Sequence, residues 1–372
     1  MRKMCKEKKA IVISNPVPAT NNSGLISLNK FVKILEVLFD DISIISGNLP
    51  IDGMDCNKTR ILPIKRKRSN NSVLNIIFYI CFQIEAGLAT LIKTNSRSKV
   101  FFWIGDGMIL PFYISLLRKA EIYYFVYGNP VKIRGGKKTE LGTARRIIKF
   151  ANKATYVCAE DEKVFDEWNG QIINPRRKVI HLYTESPVLN CKKNNVIGMI
   201  CRISEGKYVL ESIRAFEVFC KTHPDWKLEI IGSGTQKEQC EEYISNHSLS
   251  DKITMFGWID PDSKWEIMKY WRYLLFPTDT EGLPNTLLET MSIGVPSICS
   301  PVSSIASLVA DGENGIYIRE NTSEGIFEAI EIATDIDEKR YSDFLNACID
   351  TIKQEYTFVR ALDKAQQVIN DE

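Results

Sequence analysis

Short apolar runs that do not alternate with polar residues recur along this chain, each followed by a stretch of helical spacing, in two series separated by a polar break. The first series runs through residues 10–14, 42–45, 100–104, 122–126 and 155–158, with helical spacing at 142–153 and 161–168. The second restarts at 196–201 and continues through 227–231, 253–256, 273–276, 297–300 and 315–318, with helical patterns at 207–221, 235–246, 263–270 and 286–292. Unbroken apolar runs suit strands covered on both faces, and strand–helix alternation is the signature of a doubly wound parallel sheet. The break at 183–195 therefore divides the chain into two α/β domains, expected at 1–187 and 188–355. Two helical patterns, 337–354 and 357–370, follow the second series, the last opening a separate segment at 356–372. Two such sheets joined by a short linker would face each other across a cleft, with ligands beyond the carboxyl ends of the strands.

Length and composition agree. At 372 residues the chain has room for two or three domains, and 44 % apolar with 25 % charged residues excludes a disordered or fibrous chain. The net charge of +2 conceals a split. Residues 1–186 carry 30 Lys/Arg against 16 Asp/Glu, a balance of +14, and residues 187–372 carry 18 against 30, a balance of −12. Different partners for the two halves are expected, with anions drawn to the first. Ten cysteines with no CxxC pair, several in apolar runs, read as reduced thiols and favour a cytoplasmic protein. Three histidines, at 181, 223 and 247, leave little for a His-rich metal centre. Residues 1–9 are charged and lack the apolar core of a signal peptide.

The stretch 73–92 is mostly apolar and follows Lys65, Arg66, Lys67 and Arg68. It reads as a buried helix of the α/β domain, as a membrane-surface helix, or as a bilayer-spanning segment, and the sequence leaves the three open. The basic run, with Arg60, Lys93, Arg97 and Lys99 nearby, is either a solvated face or a surface for an anionic membrane or a membrane-bound partner. Nucleic acid is not expected, because no aromatic residues interleave the charge.

The segment 278–300 carries the most chemistry. A strand ends at Phe276-Pro277, a polar loop follows with Glu281 and Gly282, and Pro284 pre-sets a helix start. Backbone N–H groups of Asn285, Thr286 and Leu287 at that helix start would form a phosphate site. Glu281 and Glu289 would repel a bare anion; as acceptors from sugar and ribose hydroxyls they make sense, and otherwise they are solvated acids around an ordinary helix end. Arg202 at a strand end and Lys207 at the next helix start could neutralise a diphosphate, or form salt bridges within the acidic half. Gly232 and Gly234, flanking Ser233 after a strand, permit close backbone approach to a nucleoside, or simply make a turn.

Taken in order, these segments resemble the retaining glycosyltransferases of family four, which have the GT-B fold. Glu281-Gly-Leu-Pro-Asn-Thr-Leu-Leu-Glu289 resembles their Glu-x7-Glu motif, and Gly198-Met-Ile-Cys-Arg202 with Lys207 resembles their strand-end Arg and helix-start Lys. Ile230-Ile-Gly-Ser-Gly234, Phe256-Gly-Trp258, Gly294-Val-Pro-Ser-Ile and Leu308-Val-Ala-Asp-Gly-Glu-Asn-Gly-Ile316 complete the set, so the resemblance covers about residues 195–335. It implies two Rossmann-like domains, the first binding the acceptor and the second the donor, with a C-terminal helix crossing back to the first. It implies a hexosyltransferase that moves a sugar from a nucleotide diphosphate-sugar to a glycan or lipid-linked acceptor in surface polysaccharide or glycoconjugate synthesis. Glu281, Arg202 and Lys207 would then be catalytic, and Gly24, Gly232, Gly234, Gly282, Leu283, Pro284, Asn285, Thr286, Leu287 and Glu289 donor-binding. The leaving phosphate would take the acceptor proton, with no protein nucleophile.

The first half departs from the pattern. The loop 15–24 keeps only Gly24 of a Gly-rich turn, and the strand ends at 103–106 and 126–129 lack the His the family often carries, leaving Asp106 or Asn129 as polar substitutes. Asp260-Pro-Asp262 and Asp335-Ile-Asp337 have metal-motif spacing but read as helix boundaries, with Asp262 an N-cap. No cofactor and no metal are expected. The protein is expected in the cytoplasm, with a peripheral place on the inner face of the cell membrane. A GT-B sugar-nucleotide epimerase and a non-catalytic glycosyltransferase-like partner subunit are the alternatives.

Overall fold

The computed structural model describes residues 8–15, 23–49, 58–128, 131–134, 137–140, 142–185, 191–260 and 263–370. The chain separates into two compact units. One is built from the chain up to residue 130, residues 140–182 and residues 358–372; the other from residues 131–139 and 183–357. The divisions fall a few residues from the boundaries expected at 187/188 and 355/356.

The first unit contains β1 (Lys9–Ser14), α1 (Ser23–Leu38), β2 (Asp41–Ile45), β3 (Thr59–Ile61), α2 (Ser72–Lys93), β4 (Lys99–Trp103), α3 (Ile109–Leu117) and β5 (Glu121–Phe125). A two-stranded sheet, β6 (Val131–Arg134) with β7 (Lys137–Glu140), comes next in the chain. Then follow α4 (Gly142–Ala151), β8 (Tyr156–Ala159), α5 (Glu162–Asp166) and β9 (Arg177–Val179). The sheet order is β3-β2-β1-β4-β5-β8-β9, all parallel.

The second unit contains β10 (Val196–Ile200), α6 (Val209–Phe219), β11 (Lys227–Ile231), α7 (Lys237–Asn246), β12 (Ile253–Gly257), α8 (Ser263–Met268) and β13 (Tyr273–Phe276). It continues with α9 (Asn285–Ser292), β14 (Ser297–Cys299), α10 (Ile305–Leu308), β15 (Gly315–Tyr317), α11 (Ser323–Thr334) and α12 (Glu338–Glu355). Its sheet order is β12-β11-β10-β13-β14-β15, again all parallel. The last helix, α13 (Phe358–Asn370), belongs to the first unit. It packs on α1, and Lys99 Nζ donates to the Ile369 carbonyl at 2.9 Å.

Both sheets reverse direction of growth once, between β1 and β4 in the first unit and between β10 and β13 in the second. At such a switch point neighbouring crossovers leave on opposite faces, opening a crevice beyond the strand ends where open α/β sheets bind ligands. The strands around it are apolar on both faces. In the second unit one buried cluster gathers Ile197, Met199, Phe216 and Ile230, and another gathers Trp271, Leu274, Leu287 and Met291. The fit is close: a Cβ on Gly198 would fall 2.0 Å from the Trp271 ring, so the strand carries glycine where the indole lies flat against it.

The 73–92 stretch forms α2, but it is not the buried helix that the α/β pattern favours. Its buried residues are Phe82, Gln83, Ala86, Gly87 and Thr90, a single stripe facing the sheet and α3. The helix is long and apolar enough to cross a membrane, with 28 % of its apolar window buried. Against a spanning role, the buried stripe belongs to the unit's core, where Phe82 and Ala86 pack with Phe102 and Phe112.

Candidate functional site

In the second unit the crevice at the β10/β13 switch point is bordered by the loops that follow those two strands. After β10 the backbone turns through Arg202 toward α6. That turn is fixed by the loop after β11. Cys201 N–H donates to Ile231 O at 3.2 Å, Ile203 N–H to Ser233 O at 3.1 Å, and Gln236 N–H to Ile203 O at 3.0 Å. The glycines are needed here. A Cβ on Gly232, whose φ is +146°, would lie 1.9 Å from Cys201 O, and one on Gly234 would lie 2.2 Å from Ile203 O. What approaches the glycine backbone here is the chain's own β10 loop, the turn that the sequence offered beside a nucleoside contact.

The loop after β13 is equally well held. Thr278 N–H donates to Ser300 Oγ at 2.9 Å, Ser300 Oγ donates to Asn321 Oδ1 at 2.7 Å, and Asn321 Nδ2 returns to Thr278 O at 3.1 Å. Ser304 Oγ donates to the Gly282 carbonyl. The two loops are tied together. Lys207 Nζ donates to Thr278 Oγ1 at 2.9 Å and to the Glu281 carboxylate, with both charged side chains about one-fifth exposed. Tyr208, in the left-handed region at φ +52°, donates its hydroxyl to Asp279 Oδ1 at 2.8 Å. Burial first, and the Asp279 carboxylate second, push that phenol up to about 12. Arg202 is exposed and forms no ion pair among the described residues. The structure therefore brings Lys207 and Glu281 together and leaves Arg202 exposed after the end of β10.

α9 opens at Pro284, which has φ −75° and caps the helix with no side-chain hydrogen bond. Leu287 N–H already donates to Pro284 O at 3.0 Å, so it is not one of the anion-facing donors expected at this helix start. The side chains of Leu283 and Leu287 lie in the apolar core, which leaves only their backbone to any ligand. Glu289, one turn further, is 7 % exposed, and its Oε2 accepts from Lys264 Nζ at 2.7 Å. It is a buried, paired carboxylate, neither a solvated acid nor wholly free for a hydroxyl.

The first unit has its own crevice at β1/β4. Gly24 lies in the first turn of α1, with nothing within 4 Å of where a Cβ would sit. Asn15 Nδ2 donates to Asp106 Oδ1 at 2.6 Å, and Asn15 Oδ1 accepts from Gly107 N–H at 2.8 Å, so the two loops are joined. A cavity of about 240 Å³ opens beside them, lined by Asp106, Tyr124, Val126, Tyr127, Thr143 and Ile147 among others. Burial holds the Tyr127 phenol well above its ordinary value, and its hydroxyl donates to nothing among the described residues. Asn129 and most of the 15–24 loop lie outside the described residues, as does Asp262. Asp260 Oδ1 accepts from Ser263 N–H at 3.0 Å. Asp337 is the N-cap of α12 and Asp335 ends α11. Among the described residues no group of three or more His, Cys, Asp or Glu could hold a metal ion.

The residues that sequence reasoning missed are the supports. Thr278 carried a signal, being the first polar residue after an apolar strand. Tyr208, Asp279, Ser300, Asn321 and Lys264 had none, because their partners lie 21 to 71 residues away in the chain. Two of the three histidines stack on aromatic rings, His223 on Phe219 at 4.2 Å and His247 on Tyr243 at 3.9 Å, and His181 is buried.

Comparison with known proteins agrees with this geometry. Residues 184–345 match the family model described as Glycosyl transferases group 1. An uncharacterized glycosyltransferase of Haemophilus influenzae is 28 % identical over 269 residues, 68 % of this chain and 70 % of that protein. A lipopolysaccharide 1,6-galactosyltransferase of Salmonella typhimurium is 32 % identical over 105 residues, which is 27 % of this chain and only 29 % of that protein. Among solved structures, S. aureus TarM, crystallised with UDP, aligns over 98 % of this chain and 100 % of its own with a TM-score of 0.78 at 12 % identity, a likeness of fold. With two parallel α/β units, a switch-point site in the second and the group 1 model spanning it, the chain is a glycosyltransferase of GT-B fold.

Proposed function

We propose that this chain transfers a sugar, with retention of configuration, from a nucleotide diphosphate-sugar to a glycan or lipid-linked acceptor in surface polysaccharide synthesis, as a relative of the family-four enzymes. The observation that carries the reading is the Lys207–Glu281–Thr278 contact at the β10/β13 switch point. A cation, a carboxylate and a hydroxyl converge there, on the loop that leads into α9. Arg202 and Lys207 would stabilise the diphosphate as its charge grows, with the α9 end adding its dipole. For Lys207 that means exchanging the Glu281 carboxylate for phosphate oxygens, which frees Glu281 to accept from donor sugar hydroxyls. Glu289, with one oxygen held by Lys264, keeps the other for a ribose hydroxyl. The leaving phosphate oxygen takes the acceptor proton, so no nucleophile, cofactor or divalent ion is assigned a role.

Relatives named for lipopolysaccharide, poly(glycerol-phosphate) and capsular polysaccharide synthesis support the acceptor class, and cytoplasmic action fits the free thiols. An epimerase would need several acid–base groups around the reacting carbon, and the stacked positions of His223 and His247 do not supply them. A non-catalytic partner would have no call for a lysine–carboxylate pair at a switch point. The test is a thermal-shift screen of UDP-, GDP- and ADP-sugars, since a specific donor stabilises by mass action. Product anomer assignment by NMR follows. No stabilisation by any of them, or an inverted product, overturns the reading.

A further inference from the structure

The exposed face of α2 is apolar from end to end. Val73, Ile77, Ile80, Ile84, Leu88 and Leu91 are each 44 to 64 % exposed. At about 100° per residue all six fall within about 80° of one another, a stripe of about 27 Å. Leu74 and Ile92 widen it, and Glu85 is the helix's only acid. Isolated exposed apolar residues are ordinary; a continuous stripe of this length on a soluble surface marks an interaction site.

The opposite face fastens the helix to the unit. Gln83 Nε2 donates to Gly107 O at 2.8 Å while its Oε1 accepts from Leu110 N–H at 2.9 Å. Tyr79 donates to the same Gly107 carbonyl at 2.8 Å. A Cβ on Gly87 would lie 2.7 Å from the Leu110 side chain, so α3 is seated directly on the helix. Crossing a bilayer would tear these contacts out; lying in its surface would not.

Both ends of the stripe are cationic. Lys65, Lys67 and Arg68 are exposed just before it and Arg97 just after it, while Arg66 lies over the Tyr79 ring at 5.1 Å. From residue 58 to residue 128 the chain holds eleven Lys/Arg and three Asp/Glu. A second copy of this chain would set cation against cation around the stripe. An anionic lipid surface complements both the stripe and its flanks.

We infer that α2 is an interfacial helix by which the first unit docks in the plane of an anionic lipid bilayer. Docking through α2 is independent of the transfer chemistry. It also holds the Asp106 loop, through Gln83 and Tyr79, at a fixed depth from the lipid, which suits a lipid-linked acceptor.

The test is co-sedimentation of the full chain with phosphatidylcholine vesicles, with and without phosphatidylglycerol, beside light scattering without lipid. The parent should bind the anionic vesicles at least about tenfold better than the neutral ones, and lose most of that preference between about 0.1 M and about 1 M salt. The triple variant Lys65→Ser, Lys67→Ser, Arg68→Ser should weaken anionic binding at least about tenfold. The triple variant Ile77→Ser, Ile84→Ser, Leu88→Ser should abolish binding to both. All six positions are surface ones, and an unchanged melting temperature shows that the fold persists. Equal binding of parent and variants overturns the inference, as does a parent dimer that the apolar variant dissociates and that ignores vesicles. Failure of every nucleotide-sugar to stabilise the parent would overturn the transferase reading and leave the vesicle result standing.

Discussion

Lys264 Nζ lies 2.7 Å from Glu289 Oε2, on a carboxylate that is 7 % exposed, so one charge of the acidic half is neutralised before any ligand arrives. Removing one member of a buried pair strands the other, at a cost of about 3 kcal/mol. Lys264→Met should therefore lower the melting temperature of the second unit by about 6 to 10 °C. The double variant Lys264→Met, Glu289→Gln should recover part of that loss. A melting temperature equal to the parent's shows that the pair is solvated and of little weight.

Lys207 touches both loops of the crevice, and the proposed chemistry gives it the growing charge of the leaving diphosphate. Lys207→Ala should reduce turnover about 10²-fold or more, the range for losing one preorganised stabilising group. Steady-state transfer with saturating donor measures it. Equal turnover in variant and parent would remove Lys207 from the catalytic set.

Gly234→Ala places a methyl group 2.2 Å from Ile203 O, and neither backbone can yield without breaking the hydrogen bonds between the two loops. The expected loss is about 1 to 3 kcal/mol of stability, as for overpacking a well-filled site. Urea titration of the ligand-free protein checks it. A variant as stable as its parent but unable to bind donor would restore the direct nucleoside role for this glycine.

Metal chelation bears on the same site. The charge work is assigned to Arg202, Lys207 and the start of α9, so transfer should proceed unchanged in EDTA. Activity lost to EDTA and restored by Mg²⁺ or Mn²⁺ would refute the assignment.

Alkaline pH acts on two thiols, Cys299 buried and Cys201 partly buried. Burial pushes both Cys201 and Cys299 up to about 12 in the folded protein, against an ordinary value of 9.0. Above that ordinary value the unfolded chain gives up protons that the folded chain keeps. The folded state then binds more protons, and stability falls as pH rises from about 9 toward about 12. Each thiol contributes a slope of about 1.4 kcal/mol per pH unit. Urea unfolding over this window should show a shallower decline for Cys201→Ala, Cys299→Ala than for the parent. Identical slopes would place the effect elsewhere, for instance on the buried tyrosines.

The double α/β pattern was legible because each strand carries its signal locally, as a short apolar run between turn residues. The short edge strands β3 and β9 carry almost none, and the sequence pattern passes over them. At the site, Arg202, Lys207 and Glu281 could be named from their places at strand and helix ends. Pairing was not legible: the ion pair of Lys207 with Glu281 spans 74 residues and that of Lys264 with Glu289 spans 25. At Gly232 and Gly234 a glycine signals close approach without saying what approaches, and the neighbour that the structure supplies is the β10 loop. The α2 stretch misled in the other direction. Its overall apolarity suits a buried helix, and only the packing of one face against α3 and the sheet reveals that the other face has no cover.

The packing of α13 on α1, with Lys99 reaching the Ile369 carbonyl, imposes an order on synthesis. α13 leaves the ribosome after every residue of the second unit, so the nascent first unit waits with that side of α1 unsealed while its neighbour completes a continuous sheet. The donor-side unit is the one that can finish folding during translation. Truncation before residue 358 should then yield a chain whose weakness lies in the half made first.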